Sequence, residues 1–201
     1  MVVSIEFVFH ELIVGVNKPR MQVENFTSAV LPLWCEKHLI LVQRSRSVPS
    51  HKGQVAFFGG HRENDESVLE CVKREFEEES GVDSSFLKDL EVFGDFKMGP
   101  AKTIAIVEGS LDMSAIEFSN RLQTHREWDL CFGVPLTELC LVQNWMVAEK
   151  TESEVHFPFY GLHLPPCSQV QIKGELRDQV LWGASAHILL RILESRGLLS
   201  Q

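Results

Sequence analysis

The fold is decided by the stretch Gly60-His61-Arg62-Glu63-Asn64-Asp65-Glu66, which continues through residues 67–73 to Arg74-Glu75-Phe76-Glu77-Glu78-Glu79-Ser80-Gly81-Val82. Ser67 and Glu70 have the spacing of a capping box, in which each side chain bonds the backbone of the other at a helix start. Gly81 stands where a left-handed residue commonly ends a helix. Apolar residues recur between these points at helical spacing, and they are Leu69, Val72 and Phe76. The pattern predicts a helix that begins after Ser67 and ends at Gly81.

Three carboxylates share one face of this predicted helix. Glu75, Glu78 and Glu79 are related by spacings of three and four residues, so their side chains are neighbours. They repel one another unless a cation lies among them, and Mg²⁺ and Mn²⁺ prefer hard oxygen ligands of this kind. Arg74 is placed to orient a carboxylate, and Glu66 is its expected partner. The helix therefore predicts a metal platform for chemistry at a phosphoanhydride.

The same stretch resembles the Nudix box, G-x5-E-x7-R-E-U-x-E-E-x-G-U, in which U is an aliphatic or bulky apolar residue. Every fixed position matches, and the matching residues are Gly60, Glu66, Arg74, Glu75, Glu78, Glu79 and Gly81, with Phe76 and Val82 at U. At ordinary residue usage of roughly 5–7% such a match arises by chance about once in a million chains, which disfavours a merely solvated acidic helix. The resemblance implies an α/β fold, the Nudix α/β/α sandwich, with a mixed β-sheet and a loop-helix-loop box over residues 60–82. It implies a single Nudix hydrolase domain over residues 1–201.

The resemblance also implies hydrolysis of a nucleoside diphosphate linked to another group. Mg²⁺ or Mn²⁺ would be bound by Glu75, Glu78 and Glu79. The Gly60 carbonyl would be a further metal ligand, and Arg74 and Glu78 would take part in catalysis.

A later stretch, residues 126–136, is similar to the family pattern E-V-x5-V-P-L and makes Glu127 the candidate for the general base or an extra metal ligand. Glu108 and Glu117 are the alternatives for this fourth carboxylate.

A narrower resemblance precedes the box. Coenzyme A pyrophosphatases of the Nudix superfamily carry R-S-x-x-L-x-x-H-x-G-Q-V-x-F-P-G-G, and the matches here are Arg44, Ser45, His51, Gly53, Gln54, Val55, Phe57, Gly59 and Gly60. Val48 replaces the Leu and Phe58 replaces the Pro. The resemblance implies that the substrate is bound by Arg44, His51, Gln54 and Gly59. For His51 the alternative is a turn residue that makes one hydrogen bond.

The expected substrate is coenzyme A or acyl-CoA, cleaved to 3′,5′-ADP and (acyl-)4′-phosphopantetheine. One alternative is a Nudix pyrophosphatase for ADP-ribose, a dinucleotide or a nucleoside triphosphate. Phe58 and the lack of the family's T-P-V-V strand favour that alternative. A non-catalytic nucleotide-ligand sensor is a second alternative, and the intact carboxylate trio disfavours it.

Composition limits the class of partner. The chain has 201 residues, of which 44% are hydrophobic, and a formal net charge of −9, which suits one domain with a sizeable core. The acidic balance disfavours nucleic acid and membrane surfaces as partners, so a small nucleotide-type substrate is expected. The five cysteines form no C-x-x-C pair, which favours reduced thiols in a cytoplasmic enzyme. No apolar run is long enough for a transmembrane helix, and a homodimer is one oligomeric state left open.

The remaining elements follow from alternation and turn residues. Apolar runs predict strands at residues 29–33, 38–42, 90–93 and 103–109, and weak alternation of Ile5, Phe7 and Phe9 predicts an edge strand. Gly94, Gly99 and Pro100 are expected to form the turn between the third and fourth of these strands. The polar residues 112–126 predict a loop. A C-terminal helix is expected to bury one apolar face, formed by Trp182, Ile188, Leu189, Ile192 and Leu193.

Overall fold

The computed structural model describes residues 23–152 and 155–199, and the side chains of residues 148–159 lie outside that description. The expected strand around Phe7 lies outside the described residues. In the described part of the chain, twelve strands form one nine-stranded and one three-stranded sheet. The described residues also form four α-helices, which are α1 (Val68–Ser80), α2 (Ala115–Arg121), α3 (Leu136–Leu139) and α4 (Ala184–Ser195). None of these helices is long and apolar enough to cross a membrane.

The larger sheet is mixed. Its strands are β1 (Ser28–Leu31), β2 (Leu33–Cys35), β3 (His38–Arg44), β4 (Val55–Ala56), β5 (Phe58–His61), β6 (Leu87–Met98), β7 (Lys102–Leu111), β8 (Trp128–Pro135) and β11 (Val170–Lys173). Their order is β11-β8-β3-β2-β7-β1-β5, with β4 also on β3 and β6 also on β7. Both β1 and β2 run parallel to β7, and the other pairs are antiparallel. The small sheet contains β9 (Trp145–Glu152), β10 (Val155–Leu164) and β12 (Gln179–Trp182) in the order β12-β10-β9.

Side chains alternate between the two faces of the large sheet, as the period of two in a strand requires. On β3, Ile40 and Val42 belong to one core cluster, whereas Leu39 and Leu41 belong to the other. The first cluster includes the buried residues of α1 and α2, and the second those of α4. The sheet therefore lies between helices, and the predicted α/β/α sandwich with a mixed sheet is confirmed.

Phe58, which stands where the coenzyme A motif has proline, is a core residue. Its ring is fully buried and packs edge-to-face on Phe76 of α1, with ring centroids 5.7 Å apart, and on Phe118 of α2 at 6.5 Å. Edge-to-face pairs add to the stabilisation from area burial alone. This substitution therefore joins β5 to both helices of the first core cluster.

Three details differ from the sequence predictions. Residues 112–126 contain a helix, α2, because Ser114 caps it by accepting the backbone N–H of Glu117 at 3.2 Å and Phe118 is fully buried. Gly94 lies at an irregularity inside β6 and not in the turn. The turn between β6 and β7 is formed by residues 99–101, which include the predicted Gly99 and Pro100.

The third difference is that Trp182 does not belong to the C-terminal helix. It ends β12 and is 41% exposed, because the C-terminal helix begins only after Gly183. The other predicted apolar positions of that helix are buried, namely Ile188, Leu189, Ile192 and Leu193. All five cysteines are free, as expected.

Candidate active site

Helix α1 has both predicted caps. Ser67 Oγ accepts the N–H of Glu70 at 3.3 Å, and Glu70 Oε2 accepts the N–H of Ser67 at 2.8 Å. At the other end, Gly81 is left-handed with φ 70° and donates its N–H to the Glu77 carbonyl at 2.8 Å. The caps satisfy backbone groups that a helix leaves unpaired at its ends. They fix the register of the glutamates between them.

Glu79 is the buried carboxylate of the helix. Only 5% of it is exposed, and its Oε2 accepts the backbone N–H of Gly59 at 3.0 Å. Burial raises the pKa of the Glu79 carboxyl to about 8, with a smaller contribution from the charges of Glu75 and Glu127. In residues 23–152 and 155–199 no ion pair neutralises it. A buried carboxylate of this kind is costly unless a cation compensates it.

Arg74 lies among the other carboxylates. Its Nη2 and Nε donate to the two oxygens of Glu66 at 2.8 and 3.1 Å, which confirms the predicted partner. Its Nη1 also donates to Glu75 at 3.0 Å and to Glu78 at 3.1 Å. The paired bonds with Arg74 lower the pKa of Glu66 to about 2. Arg74 therefore ties the loop before the helix to two of the three predicted metal ligands.

Gly59 and Gly60 bring the backbone of β5 close to β1 and to the glutamates of α1. Gly59 has φ 138°, and a Cβ there would collide with the Ala29 carbonyl on β1. A Cβ on Gly60 would collide with the carboxylate of Glu75. Gly59 is therefore required for β5 to lie against the backbone of β1, and a side chain at Gly60 would displace the Glu75 carboxylate.

The residues present fit a hard divalent ion. Glu79 offers a buried oxygen donor without an ion-pair partner in the described structure, and Gly60 leaves room beside Glu75. Mg²⁺ and Mn²⁺ favour such carboxylate and carbonyl oxygens. The described residues nevertheless contain no ready group of three His, Cys, Asp or Glu side chains in metal-binding geometry. Glu75 and Glu78 are bonded to Arg74 instead, so a metal would compete with the guanidinium for them.

Of the three candidates for a fourth carboxylate, Glu127 is the one whose charge acts on the carboxylates of the helix. It precedes β8, pairs with Arg44 at 3.5 Å, and its charge contributes to the raised pKa of Glu75 and Glu79. Glu108 bonds Trp34 Nε1 at 3.1 Å and Arg196 at 2.9 Å, within the second core cluster. Glu117 pairs with Arg121 along α2 at 2.8 Å.

Of the predicted substrate residues, Arg44 ends β3, His51 and Gln54 lie on the loop between β3 and β4, and Gly59 lies on β5. Arg44 is brought to Glu127, and its buried Nε has no hydrogen-bond partner among the described residues. His51 has φ 56°, and its Nδ1 bonds Gln54 Oε1 at 3.0 Å. These two side chains therefore contact each other rather than the carboxylate helix.

One contact at the site was not predicted from the sequence. Trp128 is buried and donates its indole N–H to the backbone carbonyl of Glu79 at 2.9 Å. It follows Glu127 directly, so the bond ties the end of α1 to the start of β8. No spacing rule connects residues so far apart in the chain.

A mixed sheet between helices, with a capped helix that presents Arg74 and three glutamates beside the Gly-Gly pair of β5, defines the fold of a Nudix hydrolase. The NUDIX domain model matches residues 25–133, more than half of the chain, and the chain belongs to this family.

The chain is similar to the Nudix hydrolase NudL of Photorhabdus laumondii, with 25% identity over 174 residues that cover 83% of this chain and 82% of that protein. Its fold is similar to a MutT/nudix family protein from Enterococcus faecalis, with a TM-score of 0.51, 14% identity and coverage of 96% of this chain and 69% of that one. The chain is a Nudix pyrophosphohydrolase for nucleoside diphosphate derivatives, a class of enzymes that uses divalent metal ions.

Proposed function

We propose that the chain is a single-domain cytoplasmic enzyme that hydrolyses coenzyme A or acyl-CoA to 3′,5′-ADP and (acyl-)4′-phosphopantetheine with Mg²⁺ or Mn²⁺. The observation that carries this proposal is the state of Arg44. Its buried Nε lacks a partner among the described residues, and its link to Glu127 is a long 3.5 Å contact. A phosphate oxygen would satisfy such a guanidinium with charge-assisted hydrogen bonds.

The position of Arg44 suits this role. It begins the segment of residues 44–60, which matches the coenzyme A motif at nine positions, and its charge lowers the pKa of Glu79. It thus connects the substrate loop with the carboxylate helix. His51 and Gln54, bonded to each other on the same loop, are the proposed contacts for the part of the substrate beyond the diphosphate.

Each residue has a separate task in the proposed reaction. Glu75, Glu78, Glu79 and the Gly60 carbonyl would hold the ion, which supplies polarisation of the diphosphate and of the attacking water. Arg44 binds the substrate phosphate, and Gly59 orients Glu79 through its N–H. Glu127 accepts a proton from the attacking water. The oxygen of that water bonds to phosphorus while the bridging P–O bond of the diphosphate breaks. The leaving phosphate carries away the electron pair of that bond.

The closest alternative is a Nudix enzyme for ADP-ribose, a dinucleotide or a nucleoside triphosphate. Its support from Phe58 is weakened, because that ring packs in the core against Phe76 and Phe118. The substitution of proline therefore affects core packing directly before the Gly-Gly pair of β5. The missing T-P-V-V strand continues to favour this alternative.

The test is product analysis of the purified protein with Mg²⁺ or Mn²⁺ and, separately, coenzyme A, an acyl-CoA, ADP-ribose and a diadenosine polyphosphate. We expect 3′,5′-ADP from coenzyme A at a higher kcat/KM than AMP from ADP-ribose. A chelator should abolish both reactions. Release of AMP from ADP-ribose while coenzyme A stays intact would overturn the substrate assignment. Binding of nucleotides without any hydrolysis would favour the sensor.

A further inference from the structure

Two buried glutamines join the large sheet to the small one beneath the substrate loop. Gln43, on β3, is 8% exposed, and Gln179, on β12, is 4% exposed. Gln43 Nε2 donates to Gln179 Oε1 at 2.9 Å. The two residues lie 136 positions apart in the chain, so this bond exists only in the folded protein.

The same amide group also holds the substrate loop. Gln43 Nε2 donates to the carbonyl of Gly53 at 3.3 Å, and Gly53 donates its N–H back to the Arg44 carbonyl at 3.0 Å. Gly53 adjoins Gln54, whose side chain bonds His51. One end of the loop that carries the proposed substrate contacts is therefore fixed by a side chain that the small sheet holds in place.

Adjacent residues on β3 face opposite sides of the sheet, and this connects the two regions. Leu39 and Leu41 belong to the cluster of the small sheet and α4, so Gln43 shares their face. Arg44, the next residue, faces the other way and meets Glu127. One peptide unit joins Gln43 to the proposed phosphate contact, at the point where the pairing of β3 with β8 is irregular.

Burial of Gln43 and Gln179 also destabilises the fold in one respect. Gln179 Nε2 is buried without a hydrogen-bond partner among the described residues. An unsatisfied buried donor destabilises a protein, whereas apolar residues of similar shape at both positions would be near neutral. Packing alone therefore does not account for an amide at this position.

We propose that Gln43 and Gln179 are positioning residues that set the shape of residues 45–54 and thereby substrate preference. The small sheet, which lies beyond the residues matched by the NUDIX model, then acts as a specificity element. This inference rests on the proposed role of the loop in substrate binding.

The test uses Gln43→Leu, Gln179→Leu and the double variant. The matched control is Gln169→Leu, because Gln169 is also buried (7% exposed) and its amide donates to the carbonyls of Leu164 and Arg177, away from the loop. We expect Gln179→Leu to raise KM for the preferred substrate about five-fold, the loss of one neutral hydrogen bond. Gln43→Leu loses the bonds to both Gln179 and Gly53 and should raise KM at least as much. In both variants kcat should stay within about two-fold of wild type. The control should lower the melting temperature and leave KM unchanged.

Two further results separate positioning from general stability. The double variant should raise KM no more than the larger single effect, because both changes break one connection. Gln179→Glu keeps the oxygen that accepts from Gln43 and should retain the wild-type KM, although its buried carboxyl should lower the melting temperature. If Gln43→Leu does not fold, Gln43→Met gives the same comparison with a more adaptable side chain.

Additive effects in the double variant, or an equal rise in KM for Gln169→Leu, would overturn the inference. All measurements use the nucleoside diphosphate derivative that the wild-type enzyme hydrolyses best. Failure of the wild type to cleave coenzyme A would therefore overturn the proposed substrate and still leave the role of the glutamine pair tested.

Discussion

Helices α1 and α4 pack on opposite faces of the same sheet, yet they are stabilised in different ways. Helix α4 has no side-chain cap at its N-terminus, and its buried residues are all apolar: Ala186, Ile188, Leu189, Ile192 and Leu193. Helix α1 buries Glu79 and Ser80 beside its apolar residues, and it has a full capping box and a left-handed C-cap. A helix with charged side chains on one face buries less apolar surface and gains less stability from packing. Capping of its ends offsets part of that lost stability.

The contrast implies that changes on α1 should alter activity more than stability, whereas changes on α4 should do the opposite.

The largest expected effect is on turnover. Glu78→Gln should lower kcat on the order of 100-fold or more, because the amide keeps the size of the side chain and loses the charge that would hold the ion. The melting temperature should change little, because this side chain is 56% exposed. Steady-state kinetics at saturating Mg²⁺ and thermal unfolding measure both.

Glu77→Gln is the matched control for this prediction. Glu77 lies on the same helix, and its Oε1 accepts the Ser84 N–H at 2.8 Å, which a glutamine oxygen also does. It should retain wild-type kcat. Near-normal turnover of Glu78→Gln would remove Glu78 from the site.

On the opposite face, Leu189→Ala should lower the free energy of unfolding by about 2–5 kcal/mol, because it leaves a cavity in the second core cluster. The kcat of the remaining folded molecules should stay unchanged. Chemical denaturation with activity normalised to folded protein measures this. Ile116→Ala, at a position 77% exposed on α2, is the control and should cost little. A fall in kcat as large as that of Glu78→Gln would break the contrast between the two faces.

The third prediction concerns pH. The pKa of Glu79 is raised from 4.5 to about 8 in the folded protein. Between these values the unfolded chain loses a proton that the folded protein retains, so the metal-free protein should lose stability as pH rises through this window. Melting temperatures in the presence of a chelator should therefore fall from about pH 4.5 to about pH 8.

Glu79→Gln isolates this contribution from that of Glu75, whose pKa is also raised by burial. The variant should show a flatter dependence of melting temperature on pH. Mg²⁺ should protect the wild type more at higher pH, because the ion favours the ionised carboxylate. Activity should rise with pH for the same reason. A melting temperature that increases across this range would contradict the prediction.

A smaller effect should follow from removing one cap. Ser67→Ala should destabilise the protein by about 1 kcal/mol, because the N–H of Glu70 loses its acceptor. Ser185→Ala, in the first turn of α4, should have no comparable effect, since that helix has no side-chain cap. Equal losses of stability, measured by denaturant unfolding, would show that the two helices do not differ in this respect.

The smallest predicted effect separates substrate choice from both helices. His51→Ala should lower kcat/KM for coenzyme A about five-fold, the value of roughly one hydrogen bond, and change that for a simple dinucleotide less. Lys52→Ala is the neighbouring control. Equal losses on both substrates would indicate that the bond between His51 and Gln54 only maintains the turn.

The sequence predicted what depends on near neighbours. The caps of α1 and the bond between Arg74 and Glu66 involve residues within about two helical turns of each other. The apolar run at residues 29–33 was predicted as one strand, and the structure divides it between β1 and β2 at Pro32. The same kind of signal was present for α2, where Ser114 and Glu117 have the capping spacing, but the polar composition concealed it.

Contacts between distant parts of the chain could not be predicted in this way. The bonds from Trp128 to Glu79 and from Gln43 to Gln179 span 49 and 136 positions, and no local pattern encodes them. The bonds of Arg74 to Glu75 and Glu78 were also missed, because the sequence indicates which side chains share a face and not which cation lies between them. Arg44 could be assigned to the substrate loop by its motif, whereas its proximity to Glu127 needed the pairing of β3 with β8.

That pairing also determines the order in which the enzyme matures. The caps of helix α1 form inside residues 67–81, so every capping group is present as soon as that segment is synthesised, whereas its buried side packs on Phe58 and Trp128. Arg44 meets Glu127 only after the chain has closed a loop of 83 positions and β8 has docked on β3. Non-local pairing of this kind is the slow step of folding. A nascent chain that ends at Val82 therefore has the three helix glutamates and their caps but lacks Glu127. The proposed site is complete only after β8 has been synthesised and has docked on β3.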